Sequence, residues 1–132
     1  MVNYLLDSDV CIPFLKGSDD ALRDRILGLP PGEAMLCSVV KAELLYGARH
    51  SQRVDANLRR VAEFFSMFES APFDDAAAEH YAVVRAHLER SGTPIGGNDL
   101  MIAAIALAAD ATLVSRNDRE FRRVSGLRVE RW

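Results

Sequence analysis

The chain has 132 residues, a length that predicts one domain spanning residues 1–132. Hydrophobic residues make up 49% of it and charged residues 27%, so it can bury a core and is not a disordered tail. The formal net charge of −3 argues against a general polyanion binder. No apolar run approaches the roughly 18 residues of a membrane span, and no basic, cleavable leader is present. We therefore expect a cytoplasmic protein without a membrane partner.

Cysteine and arginine usage give two further indications. Cys11 and Cys37 lie inside apolar runs with no second Cys/His pair near either, which favours buried, reduced thiols. Only Lys16 and Lys41 are lysines, so the other 14 of the 16 basic residues are arginines, and six of these lie in residues 116–131. The planar guanidinium suits phosphates and bases, although a solvated, salt-bridged surface explains these arginines equally well.

The first half of the chain alternates between apolar runs and amphipathic patterns. In order, we expect a strand at 2–6, a helix from a capping Asp9 to residue 15, a helix at 19–29, a strand at 34–37, a helix capped by Ser38 and ending near residue 47, and a helix at 54–68. The last is the clearest, because apolar residues recur from Val54 at i, i+4 and i+7. Phe64 and Met67 lie off that stripe, so they either widen the core face or form a patch that needs a partner.

The second half continues the alternation. It predicts a short strand at 71–73, a helix from a capping Asp74 to residue 90, a helix at 99–109 capped by Asn98, a strand at 112–115, a helical turn at 118–123 and a strand at 127–129. Pro72 favours a sheet edge for the short strand, because proline cannot donate to the ladder. Strands alternating with helices indicate an α/β domain with a parallel sheet, and in such folds the site lies at the carboxyl ends of the strands.

Acidic residues follow several of these apolar runs. Asp7 comes directly after the first strand, Glu43 lies in the helix after the second, and Asp99 begins an apolar helix. A carboxylate beside a buried strand is unfavourable unless it is solvated, paired or bound to a metal. If these groups meet at one point, they describe a site for a hard divalent cation such as Mg²⁺ or Mn²⁺.

Other polar residues near these acids have more than one interpretation. Asp9 needs no role beyond a helix cap, and Ser8 bonds either a metal-bound water or the backbone. Asp118 and Glu120 compete for a fourth acidic position, and either can instead pair with a neighbouring arginine. The three histidines have no metal-like spacing and are expected at the surface. They are His50, His80 and His87.

At this point the sequence resembles a known family. Residues 5–9 (LLDSD), 41–47 (KAELLYG), 97–104 (GNDLMIAA) and 115–121 (SRNDREF) look like the ordered motifs of PIN-domain nucleases, most nearly the VapC toxins of bacterial type II toxin–antitoxin systems. The ending 124–132 is also similar to theirs. Each motif is weak alone, but four in order over the whole chain are specific. The resemblance implies a PIN-like three-layer α/β/α domain with a mostly parallel central sheet.

The resemblance also implies a function. It is that of an Mg²⁺-dependent endoribonuclease, with Mn²⁺ as an alternative ion, that cuts tRNA or rRNA and is held inactive by a VapB-like antitoxin. A homodimer is expected, partly from Phe64 and Met67. By motif, the metal-binding acids are Asp7, Glu43 and Asp99, with Asp118 or Glu120 as a fourth catalytic acid. The residues expected to position the substrate are Ser8, Ser115, Asn117 and Arg116.

Two other functions compete with this one. Asp7-Ser8-Asp9 after an apolar strand resembles the first motif of aspartate-nucleophile phosphohydrolases. Those enzymes also use a late lysine, whereas both lysines here are early. A non-catalytic module that binds RNA or a partner is the second alternative, but clustered carboxylates would repel phosphate in a pure binder.

Overall fold

The computed structural model describes residues 3–132, so Val2 of the first predicted strand lies outside it. The strands are β1 (Tyr4–Leu6), β2 (Ala34–Cys37), β3 (Glu69–Ala71), β4 (Thr112–Val114) and β5 (Val129–Glu130). The helices are α1 (Ser8–Lys16), α2 (Asp20–Leu27), α3 (Ser38–Arg49), α4 (Val54–Phe65), α5 (Asp75–Arg90), α6 (Gly97–Ala108) and α7 (Asp118–Phe121). The predicted order of elements is confirmed.

The five strands form one sheet in the order β3-β2-β1-β4-β5, and every described pairing is parallel. The central strand β1 pairs on both sides, with Leu5 opposite Met35 of β2 and Leu113 of β4. Helices pack on both faces, α3 against α4 and α5 against α6, which confirms the three-layer α/β/α architecture. All carboxyl ends therefore lie along one edge of the sheet, as a parallel sheet requires.

The core lies on both sides of β1 and β4, which explains their uninterrupted apolar sequences. Leu5, Leu6 and Leu113 are fully buried. Helix α6 is buried over most of residues 100–106 because it packs on the sheet and against α5. Both cysteines are free and buried, as expected. No helix among residues 3–132 is long and apolar enough to cross a membrane.

Phe64 belongs to the core and does not form an exposed patch. It is 2% exposed, and its ring lies 5.1 Å from that of Phe14 and 5.0 Å from that of Phe68. Met67 is 49% exposed. The packing of α1 against α4 widens the buried face of α4, so of this pair only Met67 remains available to a partner.

Three predicted helix caps are wrong, and each helix begins slightly earlier. Asp7, not Asp9, caps α1, because Asp7 is extended (φ −75°, ψ 160°) and its Oδ1 accepts from the Ser8 N–H at 2.8 Å. Helix α3 begins at Ser38 itself after Cys37, with no side-chain cap. Gly96 precedes α6, so the predicted cap Asn98 lies inside its first turn. The acids Asp9 and Asp99 are thereby placed on helical first turns, where the helix dipole favours negative charge.

The third strand is also displaced from its predicted position. It ends at Ala71, one residue before Pro72, and pairs with β2 from Glu69 opposite Met35 to Ala71 opposite Cys37. It is an edge strand, as the proline indicated. After it, Asp74 caps α5 by accepting from the Ala77 N–H at 3.0 Å, which confirms that prediction.

Candidate active site

Asp7 lies at the carboxyl end of β1 and is the most buried carboxylate of the site. Only 4% of it is exposed. Its Oδ2 accepts from the Ser115 hydroxyl, at the end of β4, at 2.7 Å. Burial, followed by the charge of Asp9, raises the pKa of Asp7 to about 6, although the hydrogen bonds from Ser115 and Ser8 oppose the change. Asp7 is therefore a carboxylate whose negative charge is poorly compensated.

Asp9 joins this cluster, a role that the sequence left beside a simple helix cap. Its Oδ1 accepts from the Arg116 N–H at 3.1 Å, and its Oδ2 lies 3.4 Å from the Ser115 hydroxyl. Its charge raises the pKa values of both Asp7 and Glu43. The spacing of Asp7 and Asp9 could have indicated this role. When two acids lie two residues apart where a strand leads into a helix, one falls on the helix cap and the other in the first turn.

Glu43 projects from the second turn of α3 and is partly buried. Its Oε2 accepts from the Ser8 hydroxyl at 3.5 Å, whereas its Oε1 is buried without a hydrogen-bond partner among the described residues. Burial, more than the charge of Asp9, raises its pKa. A buried carboxylate oxygen with no donor calls for an explanation, and a cation or an ordered water supplies one.

Asp99 and Glu120 meet on the other side of the cluster through Asn117. The Asn117 amide donates to Asp99 Oδ2 at 3.3 Å and to Glu120 Oε2 at 2.8 Å. Burial, followed by the charges of Asp7 and Glu120, raises the pKa of Asp99 to about 7. Because the charge of Asp7 contributes to the raised pKa of Asp99, the two halves of the cluster interact across the sheet edge.

Asp118 is in a different environment from Glu120. It accepts from Arg131 at 2.9 Å and from Arg122 at 3.4 Å. The Arg131 hydrogen bond is the main reason that its pKa lies below the ordinary value. Of the two acids that the sequence left open, Glu120 is the one brought together with Asp99, and Asp118 is neutralised by arginines.

The polar residues predicted to position substrate divide into two groups. Ser115 is fully buried, bonds Asp7, and accepts from the Asn117 N–H at 3.0 Å. Ser8 bonds Glu43. The guanidinium of Arg116, by contrast, bonds Asp19 and the main-chain oxygen of Trp132. Sequence spacing alone gave no sign of this difference.

The donor set fits a hard divalent cation. Several carboxylates share one sheet edge, two have pKa values raised toward neutrality, and one has an unpartnered buried oxygen. Within residues 3–132, no three His, Cys, Asp or Glu donors are drawn together tightly enough to form a closed ligand set. A bound cation would compensate the charges of these carboxylates and draw them together. The three histidines are exposed, as expected.

The neighbourhood of the site contains a groove but no catalytic lysine. The groove, of about 360 Å³, lies between α1, α3 and α4 and is lined by Ile12, Leu44 and Val61 beside Glu43. The Lys41 ammonium lies 4.9 Å from the Phe65 ring, and Lys16, at the end of α1, lines the groove. No lysine bonds Asp7 in the part of the chain that the structure describes, which disfavours an aspartate-nucleophile phosphohydrolase.

Comparison with known proteins gives consistent matches over the whole chain. A family model described as the PIN domain matches residues 4–127. The tRNA(fMet)-specific endonuclease VapC of Shigella flexneri is 39% identical over 132 residues, which cover 100% of this chain and 99% of that protein. DNA-bound VapBC from Salmonella typhimurium matches with a TM-score of 0.93 at 37% identity, and VapBC2 from Rickettsia felis bound to a promoter DNA fragment with 0.93 at 33%. Both structural matches cover 100% of this chain and 99% of the other.

Proposed function

This chain belongs to the VapC ribonucleases of the PIN-domain family, and on that premise we propose that its carboxylate cluster binds a divalent metal ion and hydrolyses RNA phosphodiester bonds. The observation that carries the proposal is the location of Asp7, Asp99 and Glu43 along one sheet edge, where the pKa of each is raised. A raised pKa means that the charged form of a carboxylate is unfavourable in these surroundings, and a bound cation would stabilise that form. Mg²⁺ or Mn²⁺ suits such oxygen donors.

The proposed ligands are Asp7, Asp99 and Glu43, with Glu120 as the fourth acid. A divalent ion, when bound, lowers the pKa of water and polarises phosphate oxygens. The protein positions the acids: Ser115 fixes the orientation of the Asp7 carboxylate, and Asn117 holds Asp99 and Glu120 together. Asp9, in the first turn of α1, adds negative charge that strengthens attraction for the cation.

We propose tRNA as the first substrate class to test, because the name of the Shigella flexneri relative specifies a tRNA. Purified protein should cleave tRNA with Mg²⁺ or Mn²⁺ and stop when the metal is chelated. Asp99→Asn keeps the size of the side chain and removes its charge, so it should reduce cleavage by at least 100-fold. Glu89→Gln, on the exposed face of α5, is the matched control and should retain activity.

Full activity of Asp99→Asn with Mg²⁺ present would refute the assignment of the site. Metal-independent cleavage by the wild type would refute the proposed chemistry. Tight RNA binding without cleavage, in any ion tested, would favour the non-catalytic binding module instead.

Inhibition by a VapB-like antitoxin is also proposed, supported by the presence of the two similar structures in VapBC assemblies. An arginine of the antitoxin would pair with the acids, because its fork matches carboxylates and compensates their charge. Tyr46 and Met67, which are 67% and 49% exposed, are apolar side chains that the antitoxin could cover, whereas Phe14 and Phe64 belong to the core. Replacing that arginine should weaken inhibition, and excess Mg²⁺ should compete with it. An inhibited complex whose acids remain open to solvent would contradict this mechanism.

Homodimerisation and a cytoplasmic location complete the proposal. The exposed Met67 and the family support a dimer. Phe64, which the sequence analysis also considered, is buried in the core and gives no such support. The free, buried thiols of Cys11 and Cys37 suit a reducing compartment, which is also where tRNA is found.

A further inference from the structure

The loop after β4, residues 115–117, has two faces. On one face, Ser115 bonds Asp7, and Asn117 bonds Asp99 and Glu120. Arg116, between them, has an entirely different set of side-chain partners. The chain bends at Arg116, just after β4 ends at Val114, and Asn117 has φ −96° and ψ 39°.

Arg116 is bonded at four points. Its Nε donates to the main-chain oxygen of Trp132 at 3.0 Å, and its Nη2 donates to Asp19 Oδ2 at 2.5 Å. Its N–H donates to Asp9, and its carbonyl accepts from Arg131 at 2.5 Å. The residue therefore ties the loop to α1, to the start of α2 and to residues 131–132.

The partners of Arg116 are themselves fixed. Asp19 caps α2 by accepting from the Leu22 N–H at 3.0 Å through its other oxygen. The Trp132 ring lies 5.0 Å from the Tyr4 ring in an edge-on arrangement, and the Arg25 guanidinium lies 4.4 Å from its centroid. Two anchored acceptors hold the guanidinium from two directions, which a shorter or more flexible cation cannot reproduce.

We propose that Arg116 is a positioning residue of the active site, which holds the 115–117 loop so that Ser115 and Asn117 keep the acids in metal-binding geometry. The proposal rests on the proposed metal-dependent function. It differs from the sequence-based expectation that Arg116 guides RNA, because the guanidinium already has two protein partners. Replacing a polar group that orients a metal ligand typically lowers metal affinity by about 10- to 100-fold.

The chain contains a matched control at the opposite end of the same strand. Arg128 donates from Nε to the Thr112 hydroxyl at 3.3 Å, and from Nη2 to the Asp110 carbonyl at 2.8 Å and carboxylate at 3.0 Å. It thus fastens the start of β4 as Arg116 fastens the loop after it. Arg128→Ala removes a comparable set of bonds while leaving the acids untouched.

The experiment compares Arg116→Ala, Arg116→Lys and Arg128→Ala in the full chain. Mn²⁺ affinity is measured by calorimetry, kcat and KM on tRNA by cleavage, and protection of the Arg116 and Asn117 amides by hydrogen exchange. We expect Arg116→Ala to weaken Mn²⁺ binding about 10- to 100-fold, to lower kcat with little change in KM, and to lose amide protection. Arg116→Lys should recover part of each effect, and Arg128→Ala should change none of them.

Two results would overturn the proposal. Equal effects of Arg116→Ala and Arg128→Ala on all three measurements would show general destabilisation only. A higher KM with unchanged Mn²⁺ affinity and amide protection would make Arg116 an RNA contact. If the wild type neither binds Mn²⁺ nor cuts RNA, the proposed function fails separately. Amide exchange then still decides whether Arg116 holds the loop.

Discussion

Replacing Asp7 by asparagine should stabilise the metal-free protein, although it removes the proposed activity. Asp7 is 4% exposed, and its pKa is raised from an ordinary 3.8 to about 6, mainly by burial. At 1.36 kcal/mol per pKa unit, keeping this carboxylate charged at pH 8 costs about 3 kcal/mol of folding free energy. Asparagine carries no charge to desolvate and is an equally good helix cap.

The sign of the pH dependence follows from proton linkage. Between the two pKa values the folded protein binds more protons than the unfolded chain, so wild-type stability falls as pH rises from about 4 to above 6. The Asp7→Asn variant lacks this loss. The asparagine amide must rearrange the hydrogen bond with Ser115, which costs about 1 kcal/mol of folding free energy. We therefore expect a net gain of about 2 kcal/mol at pH 8 that largely disappears at pH 4.

Urea unfolding in EDTA, followed by the fluorescence of the one tryptophan, measures this difference at both pH values. Asp118→Asn is the control of opposite sign. The pKa of Asp118 lies below its ordinary value because of Arg131 and Arg122, so removing its charge should destabilise the protein at pH 8 and matter less as pH falls. Two results would refute this reasoning: an Asp7→Asn variant no more stable than the wild type at pH 8, or a gain in stability over the wild type that is the same at pH 4 and pH 8.

Three more outcomes are expected. Glu120→Gln should reduce RNA cleavage at least tenfold, whereas Asp118→Asn should stay within about threefold of the wild type because its charge is already paired. Equal losses of cleavage in the two variants would contradict the choice of Glu120 as the fourth acid. Replacing Arg119 and Arg122 by alanine should weaken RNA binding at low salt and flatten its salt dependence by about one unit per lost phosphate contact, and an unchanged slope would make them a solvated surface. Light scattering should give twice the 14.6 kDa chain mass, with Met67→Ser shifting it toward the monomer, and a monomeric wild type would contradict the dimer.

The strands and their acids were predictable because burial leaves a direct trace in sequence. Continuous apolar runs such as Leu5–Leu6 mark strands buried on both faces. Once the sheet is parallel, residues after such strands share one edge, which brought Asp7 and Ser115 together. Element order and sheet type therefore followed from local pattern.

Features that depend on contacts between distant segments were not predictable. Spacing could not choose between Asp118 and Glu120, because the outcome depends on where Arg131 and Asn117 lie. Phe64 lies off the apolar stripe of its helix but is buried by the packing of α1. Tertiary packing, rather than helix periodicity, determines which acid contacts Asn117 and that Phe64 is buried.

The acids at the carboxyl edge of the sheet are proposed to form one divalent-ion site. An anomalous-scattering map from crystals of the protein soaked in Mn²⁺ tests it directly. We expect a peak within coordination distance of carboxylate oxygens of Asp7 and Asp99, with Glu43 or Glu120 nearby, and no such peak in Asp99→Asn. A Mn²⁺ peak elsewhere, or none at this cluster in crystals of protein that cleaves RNA with Mn²⁺, would contradict it.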